Sequence, residues 1–474
     1  MKFISTNGGF EVSSFSDAIL TGLCPDGGLL MPEYLPKLTI VQLESWKNLS
    51  YPYLIAEFLK FIVDKNDPVF EDISDISKET FTKFCKNTVE IKKLKSCFVV
   101  ELFHGPTKAF KDYPLFPLAY LIDKAIKIKA KENKGVMKKQ NLLIATSGDT
   151  GSSALEASRF YTDTLRVYVL FPNDRITPTQ RLQMTTVNSE NGFAIGCPGT
   201  CDEIEDYIRS INDDKEYSKL FNISCLNSIN CGRIICQMAL HVFIYLQIAE
   251  KVGDTLVVAI PCGGWGNLLG ACLVNEMGLP IKLILCTNEN DLGDKLIKTG
   301  MVEKQETSHF SWSSAMDTIL PYNIARLFWM YSGHDTNFTK STMSKIDQGE
   351  KVTIPPKIME KIRSVIIDSY ASDCNDTLET MSSCFNEEHY CICPHTATAL
   401  SYFYHKKEID NVKVVLGTAS ISKFSEVGIE AGIIEKFENS IFLTQLQNKE
   451  EFYTVMNENE DPVTFLKNFI ALHN

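Results

Sequence analysis

The sequence predicts an α/β protein, with parallel sheets covered on both faces by helices and a mainly helical N-terminal domain in front of them. Three observations carry this reading. From about residue 97 onward, a β-rich apolar run, a glycine- or hydroxyl-rich turn and an amphipathic helix follow one another repeatedly. The first ninety or so residues contain amphipathic helical runs but no strand that opens into a glycine turn. The length, 474 residues, exceeds what one hydrophobic core comfortably holds, so two or three domains are expected.

In chain order, residues 1–92 form the N-terminal domain, with a short extended segment and helical runs at 39–49 and 53–63. Residues 93–445 form the α/β domain. Its first full unit is strand 141–145, turn 146–151 and helix 152–160. Strand 165–171, turn 172–178 and helix 179–187 follow, then strand 255–260, loop 261–267 and helix 268–277. Further strands are expected at 281–286 and 412–416, and residues 446–474 read as a charged, helix-like tail. In such folds ligands collect beyond the carboxyl ends of the strands, where these turns lie. No repeat of solenoid length and no low-complexity linker interrupts the pattern.

Composition narrows the function classes. A formal net charge of -12 argues against nucleic acid as the main partner. The lysines between 124 and 139 carry no interleaved aromatics and read as a solvated helix face and loop. No apolar run reaches the ~20 residues that span a bilayer, so no membrane partner is expected. The N-terminal MKFIS has neither a secretory nor an organelle-targeting layout, which makes a cytoplasmic location the expectation. Fifteen cysteines are scattered through apolar segments (Cys225, Cys231, Cys236, Cys262, Cys272, Cys286) and suit reduced, buried thiols. The one metal-like spacing, CICPH at 391–395, offers at most three ligands within five residues and no second pair, so no metal is expected.

The segment FHGPTKAFKD at 103–112 presents Lys111 after a Gly-Pro turn and before an acid and a helical run reaching about residue 128. Pro114 and Pro117 fit a helix only within its first turn, where main-chain N–H groups lack partners anyway. A helix that starts just after Lys111 sets its positive dipole end beside the amine and favours the neutral, nucleophilic form. The alternative is a surface lysine flanking a helix.

Two glycine-rich turns can hold an anion near that lysine. PCGGWGN at 261–267 places Gly263, Gly264 and Gly266 between a strand and a helix, where main-chain N–H groups can close around a phosphate. No GK[ST] follows, and no clean GxGxxG with a downstream acid is present, so a nucleotide is not specifically indicated. A purely structural turn is the competing reading. TSGDTG at 146–151 is a second cradle, with Thr146, Ser147 and Thr150 available for a carboxylate; an N-cap explains one of these hydroxyls. Thr418 and Ser420 in GTAS also follow a strand, and a hydroxyl there can meet a ring nitrogen without adding charge.

These residues resemble the threonine synthase family of pyridoxal-phosphate enzymes. The resemblance runs over nearly the whole chain, through DGGLLMP at 26–32, FHGPTxAFKD, TSGDTG, QRLQMTT at 180–186, NSIN at 227–230 with Arg233, NEND at 288–291, SAMD at 314–317, Pro394-His395 and Lys423-Phe424. It implies fold type II, the tryptophan-synthase-β architecture, with two parallel-sheet subdomains and pyridoxal 5'-phosphate as cofactor. It further implies that Lys111 carries the cofactor on its amine. Gly263, Gly264, Trp265, Gly266 and Asn267 would hold the phosphate, and Thr418 the pyridine nitrogen. Asp149 stands where related enzymes place an asparagine near the ring oxygen.

Some positions depart from the threonine-forming members. Asn7-Gly8 follows Ser5-Thr6 where S-T-R-G is usual, Gly264 and Trp265 replace Asn and Phe in the phosphate loop, and TASISKF at 418–424 stands for T-A-H-P-A-K-F. Cys393 precedes Pro394-His395 where an acid is common. Several of these features resemble the threonine synthase-like 2 branch of animals, which implies a phospho-lyase.

The expected reaction is therefore elimination of phosphate from a small phosphorylated amino acid such as O-phosphohomoserine, giving 2-oxobutyrate and ammonia. Lys111 would move the α-proton. Thr146, Ser147 and Thr150 are the candidates for the substrate carboxylate, and Asn230 with Arg233 for the leaving phosphate. Threonine synthesis, a non-catalytic ligand-binding relative and a dehydratase acting on unphosphorylated substrate remain the alternatives. A monomer or homodimer is expected.

Overall fold

The computed structural model describes residues 1–406, 409–433, 439–457 and 459–474. Two parallel sheets organise it. The larger has six strands in the order Ile366–Ala371, Ile281–Thr287, Leu256–Pro261, Val412–Gly417, Phe98–Glu101 and Glu90–Lys93; only the last runs antiparallel to its neighbour. The smaller has five parallel strands in the order Tyr453–Val455, Gly192–Cys197, Leu165–Pro172, Gln140–Ala145 and Ile223–Cys225. Strand Leu256–Pro261 is buried at every residue and so is Gln140–Ala145, as strands covered on both faces must be.

The helix Cys231–Ile248 is the axis of the molecule. It is long and apolar enough to cross a membrane by length and composition, but 89% of it is buried inside the fold. It packs against helices Gly266–Glu276, Asp112–Glu132 and Tyr51–Ile62, joining both sheets to the N-terminal domain. That domain locks the segment behind Lys111: the Tyr51 ring meets Tyr113 at 5.4 Å and Phe243 at 5.6 Å, each edge-on.

Three expectations about boundaries change. The N-terminal domain holds the expected helices, Ile40–Trp46 and Tyr51–Ile62, but also a small antiparallel sheet of Phe3–Ser5 with Glu11–Val12 and Leu30–Pro32. Its end falls before Glu90 rather than at 92, because Glu90–Lys93 pairs with Phe98–Glu101 as an edge of the larger sheet. The tail is no appendage. Tyr453–Val455 extends the smaller sheet beside Gly192–Cys197, and helix Pro462–Leu472 packs on helix Cys201–Asp213 through Leu466 and Ile470, both buried.

Candidate active site

Four loops at the carboxyl ends of parallel strands converge on one cavity. They follow Phe98–Glu101, Gln140–Ala145, Leu256–Pro261 and Val412–Gly417. An antiparallel bridge between Ala109 and Ala419, with Phe110 N–H donating to the Thr418 oxygen at 2.8 Å, brings the lysine segment to the last of these loops. Lys111, Thr146, Ser147, Asp149, Thr150, Arg233, Gly263, Gly264, Trp265, Gly266, Asn267 and Thr418 all line the cavity.

Lys111 caps the helix Asp112–Glu132, which places Pro117 inside the helix rather than in its first turn and removes one main-chain hydrogen bond. The Lys111 side chain is 12% exposed, and its Nζ lies 3.4 Å from Asp149 Oδ2. Burial is the main cause that holds its pKa below the ordinary lysine value; Asp149 opposes this, while Arg233 and Lys423 add to it. Directly below, the buried Asp112 carboxylate accepts from Thr107 N–H at 2.9 Å and from the hydroxyls of Thr107 and Ser153, both at 2.7 Å. A Cβ on Gly105 would stand 2.3 Å from Asp112 Oδ2, so this turn requires glycine. The FHGPTKAFKD segment is thus a tied loop that aims one amine.

The loop 263–267 is shaped as an anion cradle. Trp265 takes the left-handed conformation at φ 59° and hands the chain to helix Gly266–Glu276, whose first N–H groups face the loop. A Cβ at Gly263 would approach the Ala315 oxygen to 2.7 Å, and one at Gly266 would approach Ser228 Cβ to 2.8 Å; at Gly264 the nearest atom is Tyr322 Oη at 3.4 Å. Asn323 Nδ2 donates to the Gly264 oxygen, and Arg326 Nη1 holds Asn323 Oδ1 at 2.7 Å. His241 Nε2 lies 3.0 Å from the Asn267 main-chain oxygen and 2.9 Å from its Oδ1. Both partners are acceptors, so Nε2 carries the proton. Asn267 Nδ2 is left buried with no partner, a donor that an incoming phosphate oxygen would satisfy.

On the opposite wall, Thr146 Oγ1 accepts from the N–H groups of Gly148 and Gly151 at 3.0 and 3.1 Å, which fixes the shape of the 146–151 loop. Ser147 is half-buried on the cavity surface. Arg233 donates through Nη1 to the Leu226 oxygen at 3.1 Å and through Nη2 to Thr150 Oγ1 at 3.3 Å; its Nε is buried and unpartnered. Asn230 does not belong here. It is the N-cap of helix Cys231–Ile248, its Oδ1 accepting from Gly232 N–H and its Nδ2 donating to the oxygens of Ile19 and Cys225, and it lies outside the cavity lining. Its amide is consumed by the helix start.

Residues 2–81 match the family model for the threonine synthase N terminus, and residues 85–417 match that for pyridoxal-phosphate-dependent enzymes. Human threonine synthase-like 2 is 32% identical over 99% of this chain and 97% of its own. Threonine synthase of Schizosaccharomyces pombe is 31% identical, covering 90% of this chain and 88% of its own. The chain belongs to the threonine synthase family. The pyridoxal-phosphate-bound threonine synthase of Brucella melitensis superposes with a TM-score of 0.88 at 28% identity, over 100% of this chain and 99% of that one. Like other members of this fold type II family, the protein is a pyridoxal-phosphate-dependent enzyme. The orphaned Asn267 amide, the glycine cradle and the buried lysine fit that cofactor.

Several residues of this threonine synthase-family site escaped the sequence reading of roles. Lys423, fully buried, reaches Asp149 Oδ1 at 3.0 Å, beside Gln180 Nε2 at 3.1 Å on the same oxygen. His395 lines the cavity; its Nε2 accepts from Ala315 N–H at 3.1 Å, so the neutral ring carries its proton on Nδ1, which is buried without a partner. Asn227 also lines the cavity, with Oδ1 unpartnered. The motifs QRLQMTT, Pro394-His395 and Lys423-Phe424 carried the family signal but not these contacts. Cys393, next to His395, caps helix Pro394–His405 by accepting from Thr396 N–H.

Proposed function

We propose that the protein is a phospho-lyase that eliminates phosphate from O-phosphohomoserine or a close phosphorylated amino acid, yielding 2-oxobutyrate, ammonia and phosphate with one water consumed. The carrying observation is the union, in one cavity, of a buried lysine, a main-chain cradle and an arginine with an unpartnered Nε. Two separate anion sites suit a cofactor phosphate and a substrate phosphate.

Bound pyridoxal phosphate supplies the electron sink that tolerates negative charge at the substrate α-carbon. Lys111 Nζ, held toward its neutral form by burial, is the base that takes the α-proton and then a β-proton, whose bonding pair forms the β–γ double bond as phosphate leaves, and that returns a proton to the γ-carbon. Ser147 and Thr150, which line the cavity around the start of helix Asp149–Ser158, are the groups that take the substrate carboxylate in this reading. Arg233, braced by the Leu226 oxygen and Thr150, offers Nε to the departing phosphate as the γ-carbon–oxygen bond breaks. The product leaves as an enamine, which water converts to 2-oxobutyrate and ammonia.

The preference for elimination over threonine formation rests on the sequence departures. Asn7 stands in place of the usual arginine and donates its amide to the Asp26 main-chain oxygen at 3.0 Å. Incubation with O-phosphohomoserine, with phosphate, 2-oxobutyrate and threonine assayed together, tests the reading. Equal phosphate and 2-oxobutyrate are expected. Phosphate matched by threonine overturns it in favour of a threonine synthase. No phosphate release points to a binding protein, and equal turnover of plain serine to a dehydratase.

A further inference from the structure

Asp149 is 1% exposed on its side chain and touches two lysines, one on each oxygen: Lys423 Nζ at 3.0 Å from Oδ1 and Lys111 Nζ at 3.4 Å from Oδ2. Gln180 Nε2 completes the Oδ1 side at 3.1 Å. Lys423 is itself fully buried; its other partner is the main-chain oxygen of Thr107 at 3.1 Å, which Gln183 Nε2 also reaches at 2.9 Å. A second buried lysine on one carboxylate is costly to keep, since each ion loses its hydration. A role is therefore needed for it.

Charge balance supplies one. Lys111 attacks an aldehyde only as a neutral amine. In that state it no longer neutralises Asp149, and a lone buried carboxylate would pull the proton back. The remaining groups that face the pair do not substitute. His395 is held neutral by burial, with a pKa of about 3, and burial also raises the Cys393 thiol. Arg233 acts on Lys111 and spends its donors on the Leu226 oxygen and Thr150 Oγ1, and Asp112 faces Lys423 from the far side of Thr107. Among the described residues, Lys423 alone is placed to balance Asp149 throughout.

We propose that Lys423 is a positioning residue, the standing counter-charge of Asp149, and that by filling this place it frees Lys111 to react with the cofactor aldehyde. In that reaction the Nζ lone pair forms the bond to the aldehyde carbon, and the carbonyl oxygen departs as water with the two amine protons. No electrons are gained or lost. Lys423 joins none of these bonds. The inference rests on Lys111 being the attachment point.

The test uses the full chain freed of cofactor and mixed with pyridoxal 5'-phosphate from about pH 6 to about pH 10, a span that brackets a depressed lysine. Attachment is trapped with borohydride, and the rate of appearance of the modified Lys111 peptide is measured by mass. Lys423→Met should move the half-maximal rate upward by about 1 to 3 pH units, the range for losing a neighbouring charge. Asp149→Asn should move it downward, Lys423→Arg should leave it near the wild-type position, and the Asp149→Asn/Lys423→Met double variant should return toward wild type. A Lys423→Met profile at the wild-type position, or a double variant no closer to wild type than either single one, overturns the proposal. Should Lys423→Met not fold, the double variant must still lie above Asp149→Asn, and coincidence of those two refutes it. Modification of a different peptide in the wild-type chain would instead remove the Lys111 reading.

Discussion

His241 donates one Nε2 proton to both oxygens of Asn267, at 3.0 and 2.9 Å, and thereby fixes which end of that amide faces away. The unpartnered Nδ2 is the result. A hydrogen bond from it to a charged phosphate is worth about 1.5 to 3 kcal/mol. Asn267→Ala should accordingly weaken cofactor affinity by roughly 10- to 100-fold. Titration of the cofactor-free protein with pyridoxal 5'-phosphate measures this, and unchanged affinity would remove Asn267 from the cradle.

The glycines of the same loop should separate cleanly. Gly263→Ala sets a Cβ 2.7 Å from the Ala315 main-chain oxygen, so the segment Ser314–Met316 has to move and cofactor binding should fall by at least about tenfold. Gly264→Ala meets only the Tyr322 side chain, at 3.4 Å, and should bind cofactor within about twofold of wild type. Equal losses at both positions would contradict the cradle geometry.

How much of this was legible in the sequence depended on how local each feature is. The lysine segment and the loop 261–267 announced themselves because glycines, a proline and a lysine between a strand and a helix narrow the backbone chemistry within a few residues. The strands Gln140–Ala145, Leu165–Pro172 and Leu256–Pro261 were equally plain, being apolar runs that end in a turn. Gly192–Cys197 was missed because glycines at 192 and 196 break its apolar run, and Tyr453–Val455 because three residues are too few to show a period. Asn230 illustrates a deeper limit: an asparagine before a helix reads the same whether it caps that helix or holds a ligand. Lys423 met Asp149 across 274 positions of chain, and no local pattern encodes such a pairing.

Two buried imidazoles set an acid limit on stability. Burial lowers the pKa of His241 to about 4 and that of His395 to about 3, whereas in an unfolded chain each titrates near 6.5. Below about pH 6.5 each of these imidazoles binds a proton in the unfolded state only, so its own contribution to stability falls as pH falls. The carboxyls of Asp112, Asp317 and Glu205, raised by burial to about 6, 7 and 8, contribute with the opposite sign. The loss should reach about 1.4 kcal/mol per pH unit for each imidazole, until His241 titrates near pH 4. Urea unfolding at about pH 7 and about pH 5 measures it, the span crossing the unfolded histidine value. His395→Asn should remove about half of the imidazole part, read as the difference between the variant and wild-type profiles. A His395→Asn profile parallel to the wild-type one across this span would show that this ring is not held neutral.

Arg233 should act on the substrate rather than the cofactor. Arg233→Lys keeps the charge but loses the planar fork, so KM for the phosphorylated substrate should rise by about 10- to 100-fold while cofactor affinity stays within about twofold. Steady-state kinetics beside a cofactor titration separates the two. Loss of cofactor with KM unchanged would reverse the assignment of the two anion sites.

One covalent bond, between Lys111 and the cofactor, decides the assignment of the site. Borohydride reduction of the full chain loaded with pyridoxal 5'-phosphate, followed by digestion and peptide mass mapping, locates the amine that carries the cofactor. The predicted result is a single reduced adduct on the peptide containing Lys111, absent from Lys111→Ala. An adduct on another lysine, or none in a chain that still turns over substrate, would contradict it.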